Sequence, residues 1–249
     1  MSTAPCGDGN GSDDGSLWGS QGECSSAPDR VAVQQLPASK IPGATFYPNL
    51  LPETVQEEIV EQIAAQKYFG PSQDQCMLFE TSSAKGQLPP WTGQLIRTLS
   101  DLLHDKISNK AKELFFPAET SLQRQLIINT YRSGQGIASH VDLLRRFGDG
   151  VIICSFLSGI AMDLDGPRGE QTSLWLKPGS VLLLSEEARY EWKHGISARQ
   201  ADRVQVEDAE ENVYVRTVQR DYRLSVTIRW MLQNGGVLAE DSQLDLRVD

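Results

Sequence analysis

Leu126-Ile-Ile-Asn129-Thr-Tyr131-Arg-Ser-Gly-Gln-Gly-Ile-Ala-Ser-His140-Val-Asp142 reads as a strand, a Gly-punctuated turn and a second strand. The apolar run delivers Asn129 and Tyr131, and beyond the turn come His140 and Asp142. Side chains alternate along a strand, so residues two apart point the same way. Asn129 and Tyr131 therefore share a face, and His140 and Asp142 can do likewise. A histidine with a carboxylate is two thirds of the 2-His-1-carboxylate triad that holds non-haem Fe(II) with open positions.

The second histidine has to come from a distant strand. The chain holds three: His104, His140 and His194. His194 sits in Tyr-Glu-Trp-Lys-His-Gly-Ile, after a Pro-Gly turn and the apolar run 181–184. His104 falls inside a helical pattern and is assigned a structural or solvent-facing role. Two arginines complete the pattern in Arg223-Leu-Ser-Val-Thr-Ile-Arg229. Their separation is even, so both face one side with Ser225 and Thr227, while Leu224, Val226, Ile228 and Trp230 face the other. Two guanidiniums on an inward face are costly unless something anionic meets them. A dicarboxylate cosubstrate would meet both.

Taken in order, Asn-x-Tyr, His-x-Asp, a later His-Gly-Ile and Arg-x5-Arg resemble the AlkB family of Fe(II)/2-oxoglutarate dioxygenases. The resemblance runs from about Ile41 to Leu232, with the motifs in its second half. Tyr131-Arg-Ser-Gly-Gln-Gly-Ile and Arg189-Tyr-Glu-Trp-Lys-His-Gly-Ile are most similar to the AlkB domain of the transfer-RNA wobble-uridine hydroxylases. The resemblance implies that His140, Asp142 and His194 ligate iron, and that 2-oxoglutarate and O2 complete the reaction. It places Asn129 and Arg229 at the metal-bound end of the cosubstrate, and Tyr131 and Arg223 at its distal carboxylate. The implied activity is oxidation, by hydroxylation or oxidative dealkylation, of an alkylated or modified nucleic-acid base in RNA or DNA. Family enzymes that repair methylated adenine or cytosine carry an acidic residue two positions past the ligand Asp. Here that position is Leu144, which weakens direct repair of those bases; Ser225 also stands where the Arg strand often carries Asn.

Composition sets the alternatives. With 249 residues and 39% hydrophobic content the chain can bury a sizeable core. No apolar run approaches the ~20 residues needed to span a bilayer, so no membrane role is expected. The four cysteines (Cys6, Cys24, Cys76, Cys154) show no metal-type pairing and fit a reducing compartment, cytoplasmic or nuclear. A net charge of −10 is awkward for a nucleic-acid enzyme, because phosphate contacts come from Lys and Arg. Lys106, Lys110, Lys112, Arg145 and Arg146 could still line one basic face. The acidic surface would suit a second reading, hydroxylation or demethylation of a protein side chain. A catalytically idle binding module of the same fold is a third. A monomer is expected.

Along the chain, residues 1–36 are rich in Gly, Ser and Asp and read as a disordered tail. Residues 37–233 form the expected dioxygenase domain, and 234–249 a loose C-terminal tail. Ile41-Pro-Gly-Ala-Thr-Phe-Tyr47 reads as an entry strand. Helices follow: one opens at Pro52-Glu53 with Val55, Ile59 and Ile63 on one face, and another covers 91–115. Residues 67–92 keep no period and are the natural place for a substrate-recognition lid. Strands are expected at 125–131, 150–157, 159–164, 173–176, 181–185, 192–196, 213–218 and 222–231. Residues 198–212 read as an acidic excursion. The whole is an α+β chain with a double-stranded β-helix (jelly-roll) core and N-terminal helices packed on one sheet.

Overall fold

The period-two alternation of the later chain becomes two facing antiparallel sheets. The computed structural model describes residues 30–36, 40–70, 73–80, 88–117 and 122–232. In chain order the elements are β1 (Val31–Ala32), β2 (Ala44–Tyr47), α1 (Glu53–Ala65), β3 (Gln75–Phe79), α2 (Pro90–Leu103) and α3 (Asn109–Phe115). There follow β4 (Arg124–Tyr131), β5 (Ile137–His140), β6 (Phe147–Phe156), β7 (Ile160–Asp165), β8 (Gln171–Leu176) and β9 (Val181–Leu184). The last are α4 (Glu186–Tyr190), β10 (Lys193–Ile196), β11 (Ala201–Glu207), β12 (Val213–Gln219) and β13 (Arg223–Met231).

The six-stranded sheet runs β2-β9-β6-β13-β4-β3 and the four-stranded one facing it β5-β10-β7-β8, and a third, three-stranded sheet has the order β1-β11-β12. Parity along each central strand sorts its side chains between two cores. Leu126 and Ile128 of β4, Ile152, Cys154 and Phe156 of β6, and Leu224, Val226 and Ile228 of β13 face the helices. There they meet Ile59 and Ile63 of α1 and Leu95, Leu99 and Leu103 of α2, each worth about 1.5–3 kcal/mol when fully buried. The opposite parity, Tyr131, Val151 and Ile153, packs between the sheets with Ile160, Met162, Leu164, Leu174 and Ile196. This is the expected jelly-roll core with helices on one sheet. Among the described residues no helix is long and apolar enough to cross a membrane.

Four local expectations are corrected. The helical pattern 91–115 is two helices: α2 ends at Leu103, and the Ser108 hydroxyl caps α3 by accepting from Ala111 N at 3.2 Å. Within the aperiodic stretch, 75–79 form the edge strand β3 on β4, with Cys76 and Leu78 packed towards the helix-side core. The acidic excursion contains β11, which pairs with β12 along seven residues. Its charges are mostly outward, while Val204 is buried and Asp202 accepts from both Arg199 and Arg220 at 2.7 Å.

The folded unit also begins before the expected tail boundary at residue 36. Val31 and Ala32 pair in parallel with Arg203 and Val204, Val33 bridges Leu174, and Arg30 reaches Asp165 at 2.7 Å. Ala32 is fully buried, so the folded unit reaches back at least to Arg30. Residues 1–29 and 233–249 lie outside the described residues, with most of the expected tails; so do 71–72 and 81–87 of the expected lid.

Candidate metal centre

β5 and β10 lie side by side, with His140 directly opposite His194 in the register. Their rings are 4.5 Å apart, centroid to centroid. The glycine after His194 makes this approach feasible: a Cβ on Gly195 would sit 2.8 Å from the Ser139 Cα. Gly136 in the preceding turn is equally constrained, since a Cβ there would lie 2.2 Å from the Ile196 carbonyl oxygen. Asp142 follows β5 on a short loop and turns inward. One ligand atom from each of His140, Asp142 and His194 falls within 4.8 Å of the others. His104 is outside this group and stands exposed on the turn after α2.

The electrostatics suit a divalent cation. His140 Nδ1 lies 2.8 Å from the Ala138 carbonyl, which assigns the proton to that nitrogen and leaves Nε2 facing Asp142 at 3.7 Å. Burial opposes protonation of His140, but the Asp142 carboxylate and the Ala138 carbonyl outweigh it and raise its pKa. Burial pushes His194 down to about 4, so its imidazole is neutral near pH 7, as a ligand must be. Burial works against the Asp142 charge, yet His140, Arg229 and His194 together hold its carboxyl well below the usual carboxylate range. Its Oδ1 takes the Arg229 guanidinium at 2.8 Å, while Oδ2 is buried and has no hydrogen-bond partner among the described residues. An orphaned carboxylate oxygen beside two imidazoles, with His194 held neutral, is what a bound cation would satisfy.

The arginine strand runs beside this group. Across β13 and β4 the rungs are Arg223 with Tyr131, Ser225 with Asn129, and Arg229 with Gln125. Arg223 is 1% exposed, stacks on Tyr131 at 5.2 Å and donates to the Ser155 hydroxyl at 2.9 Å. Its Nε is buried without an acceptor, and burial lowers its pKa to about 10. Among the described residues no carboxylate pairs with Arg223, so a cationic slot faces the space between the sheets. Asn129 lies one rung-pair from Arg223 and two from Arg229, and accepts from Gln75 at 2.9 Å. The structure thus places His140, Asp142 and His194 in one group and Asn129, Tyr131, Arg223 and Arg229 on the adjoining β4–β13 rungs, with the Arg229–Asp142 ion pair joining the two sets.

Three further residues were not legible. Gln125 accepts from Arg229 Nε at 2.7 Å, and Ser155 meets Arg223. Arg189 of α4 is buried, and its guanidinium grips the loop that carries Asp142. It donates to the carbonyls of Asp142 at 3.0 Å, Leu143 at 3.3 Å, Phe147 at 3.0 Å and Gly148 at 3.2 Å. Since α4 leads directly to β10, one side chain ties the Asp142 loop to the His194 segment. Only its presence in the Arg-Tyr-Glu-Trp-Lys-His-Gly-Ile motif could have flagged it.

A family model described as the 2OG-Fe(II) oxygenase superfamily matches residues 79–229. This chain belongs to that superfamily. The oxygenase is 41% identical over 86 residues to the tRNA (carboxymethyluridine(34)-5-O)-methyltransferase alkbh8 of Xenopus tropicalis, covering 34% of this chain and 14% of that protein. It is 23% identical over 193 residues to the alkylated DNA repair protein ALKBH8 homolog of Arabidopsis thaliana, covering 66% of this chain and 53% of that protein. The oxygenase therefore spans about half or less of the length of these curated relatives. Among solved structures, a Pseudomonas putida prolyl-4-hydroxylase overlays with a TM-score of 0.49 at 11% identity, covering 78% of this chain and 94% of that one.

The chain is an AlkB-like 2-oxoglutarate-dependent dioxygenase, and Fe(II), 2-oxoglutarate and O2 are its cofactors. When bound, Fe(II) supplies the oxidative chemistry that couples loss of CO2 from the keto-acid to oxygen insertion at a substrate C–H. The protein's share is to keep the His194 imidazole neutral and the Asp142 carboxylate ionised, and to present guanidiniums to carboxylates.

Proposed function

We propose that this AlkB-type enzyme oxidises an alkylated or modified base in RNA or DNA, by hydroxylation or oxidative dealkylation. His140, Asp142 and His194 would hold the iron. Arg223 and Tyr131 would take the distal carboxylate of 2-oxoglutarate, with Arg229 and Asn129 serving its metal end. The observation that carries the ligand assignment is the Asp142 carboxylate, with one oxygen bound to Arg229 and the other buried and orphaned beside two histidines. The nucleic-acid substrate is supported by relatives whose names specify transfer RNA and alkylated DNA. A protein side chain is the second reading, favoured by the net charge of −10.

Purified protein with Fe(II), 2-oxoglutarate and O2 would be offered transfer RNA, alkylated oligonucleotides and methylated peptides in parallel. Succinate formation above the substrate-free rate, with a matching mass change in a nucleoside, is the expected result. Stimulation and mass change with peptides alone would replace this reading by the second.

A further inference from the structure

We propose that Arg146 is a phosphate-binding residue at the mouth of the metal centre, receiving the backbone of a nucleic acid whose modified base enters the site. This rests on the nucleic-acid reading above. Arg146 lies on the turn between Asp142 and β6. Its guanidinium carbon is 5.6 Å from the Phe147 ring centroid and 5.7 Å from that of Phe79, at the end of β3. The Phe147 ring also carries Arg229, at 3.6 Å, and Arg229 is bound to Asp142. Phe79, Arg146, Phe147 and Arg229 thus form an alternating series of rings and cations that ends on the candidate metal-ligand carboxylate.

Among the described residues Arg146 differs from its neighbours in having no acceptor. Arg229 has Asp142 and Gln125, Arg189 has four carbonyls, and Arg124 has Glu80. Among the described residues Arg146 forms no side-chain hydrogen bond or ion pair, and its Nε is buried without a partner. The stretch that follows Glu80, Thr81-Ser-Ser-Ala-Lys-Gly-Gln87, contains no Asp or Glu that could pair with it. Ring contacts hold the cation without using the N–H donors of its two Nη groups, which are left for a ligand. The cosubstrate does not account for it, because its two carboxylates are already matched by Arg223 and Arg229.

The surroundings favour a phosphate beside a base. Leu143 and Leu144, 56% and 52% exposed, flank the same turn, and Met77 is exposed on β3. Apolar surface next to a guanidinium offers a face for a base and a fork for the adjoining phosphate. In a chain of net charge −10, a phosphate contact needs a local cation of this kind.

The test uses the Mn(II) holoprotein with 2-oxoglutarate and a fluorescein-labelled single-stranded RNA, followed by anisotropy as salt rises from about 50 to about 200 mM. Arg146→Gln is expected to weaken low-salt binding roughly tenfold and to reduce the log–log salt slope by about 0.7, the value of one phosphate on a single strand. Arg146→Lys keeps the charge and is expected to keep the slope, which guards against a loop disturbed by Gln. Arg168→Gln, on the β7–β8 turn and paired with Glu170, serves as the control and should match wild type. If wild type binds RNA and Arg146→Gln binds with the same slope and affinity, the assignment of Arg146 is overturned while the nucleic-acid reading stands. Loss of slope in Arg146→Lys equal to that in Arg146→Gln overturns it too, since the slope counts charge. Absence of salt-dependent binding of RNA and of DNA by wild type removes the nucleic-acid reading itself.

Discussion

Replacing Arg189 by Lys tests whether one buried guanidinium couples two segments of the metal centre. Arg189 spreads its donors over four carbonyls between Asp142 and Gly148, the shortest contacts at 3.0 Å to Asp142 and Phe147. A lysine ammonium is a point charge on a flexible stem and reaches one or two of them. Losing two or three bonds at about 1 kcal/mol net each predicts a loss of about 2–3 kcal/mol in the apoprotein. For a domain of this size that is a fall of roughly 4–12 °C in Tm. Metal affinity should fall separately, by about 10–100-fold, because the Asp142 loop is no longer fixed against the segment carrying His194. Anaerobic titration with Co(II), read from its visible bands, gives the affinity, and melting of the apoprotein gives the stability. A lower Tm with unchanged Co(II) affinity would show that Arg189 supports the fold without positioning the site.

Arg223→Lys should weaken 2-oxoglutarate roughly 10–150-fold in anaerobic titration of the Fe(II) protein, with little change in iron affinity, whereas Arg216→Lys, exposed on β12, should be silent. Arg220→Lys is no silent control, although it lies outside the motif: Arg220 is buried, grips both Asp202 oxygens and donates to the Gln135 and Ser197 carbonyls, so its replacement should lower Tm. The His194 pKa falls from 6.5 unfolded to about 4 folded. Its contribution is therefore complete above pH 6.5, and about 3 kcal/mol is lost as pH drops to about 4, where the unfolded state takes up a proton the folded state refuses. Urea melts of the apoprotein should show that decline reduced in His194→Gln; parallel pH profiles would refute it. Removing residues 1–36 should lower Tm by several degrees relative to removing 1–29, because it deletes the Arg30–Asp165 pair and the buried Ala32; equal melting temperatures would show that β1 adds nothing.

Much of this protein was legible locally. Alternation in 126–131 and 223–230 assigned each side chain to the helix side or the inter-sheet side before any pairing was known, and the two cores follow that parity. Residue chemistry supplied the rest: two histidines, one aspartate and two arginines are too costly to bury without partners, so their placement on strand faces pointed to a ligand. What the sequence left open depends on pairs remote along the chain. The five residues of β3 gain their structure from β4, β1 from β11, and the charged β11 from β12. Short strands have little intrinsic preference, and only the hydrogen bonds of a partner fix them. The same holds for Arg189, Gln125 and Arg146. A guanidinium or an amide is as compatible with solvent as with burial, and its role is set by which carbonyl, ring or charge the folded sheets bring within reach. His140 and His194 are separated by 53 intervening residues in the chain. Their 4.5 Å approach exists because β5 and β10 pair at that rung, beside Gly195 where the register shifts. Composition and periodicity therefore determined which side chains face inward, while the tertiary structure alone decided which of them meet, because contact energies act between segments whose separation along the chain leaves no local trace.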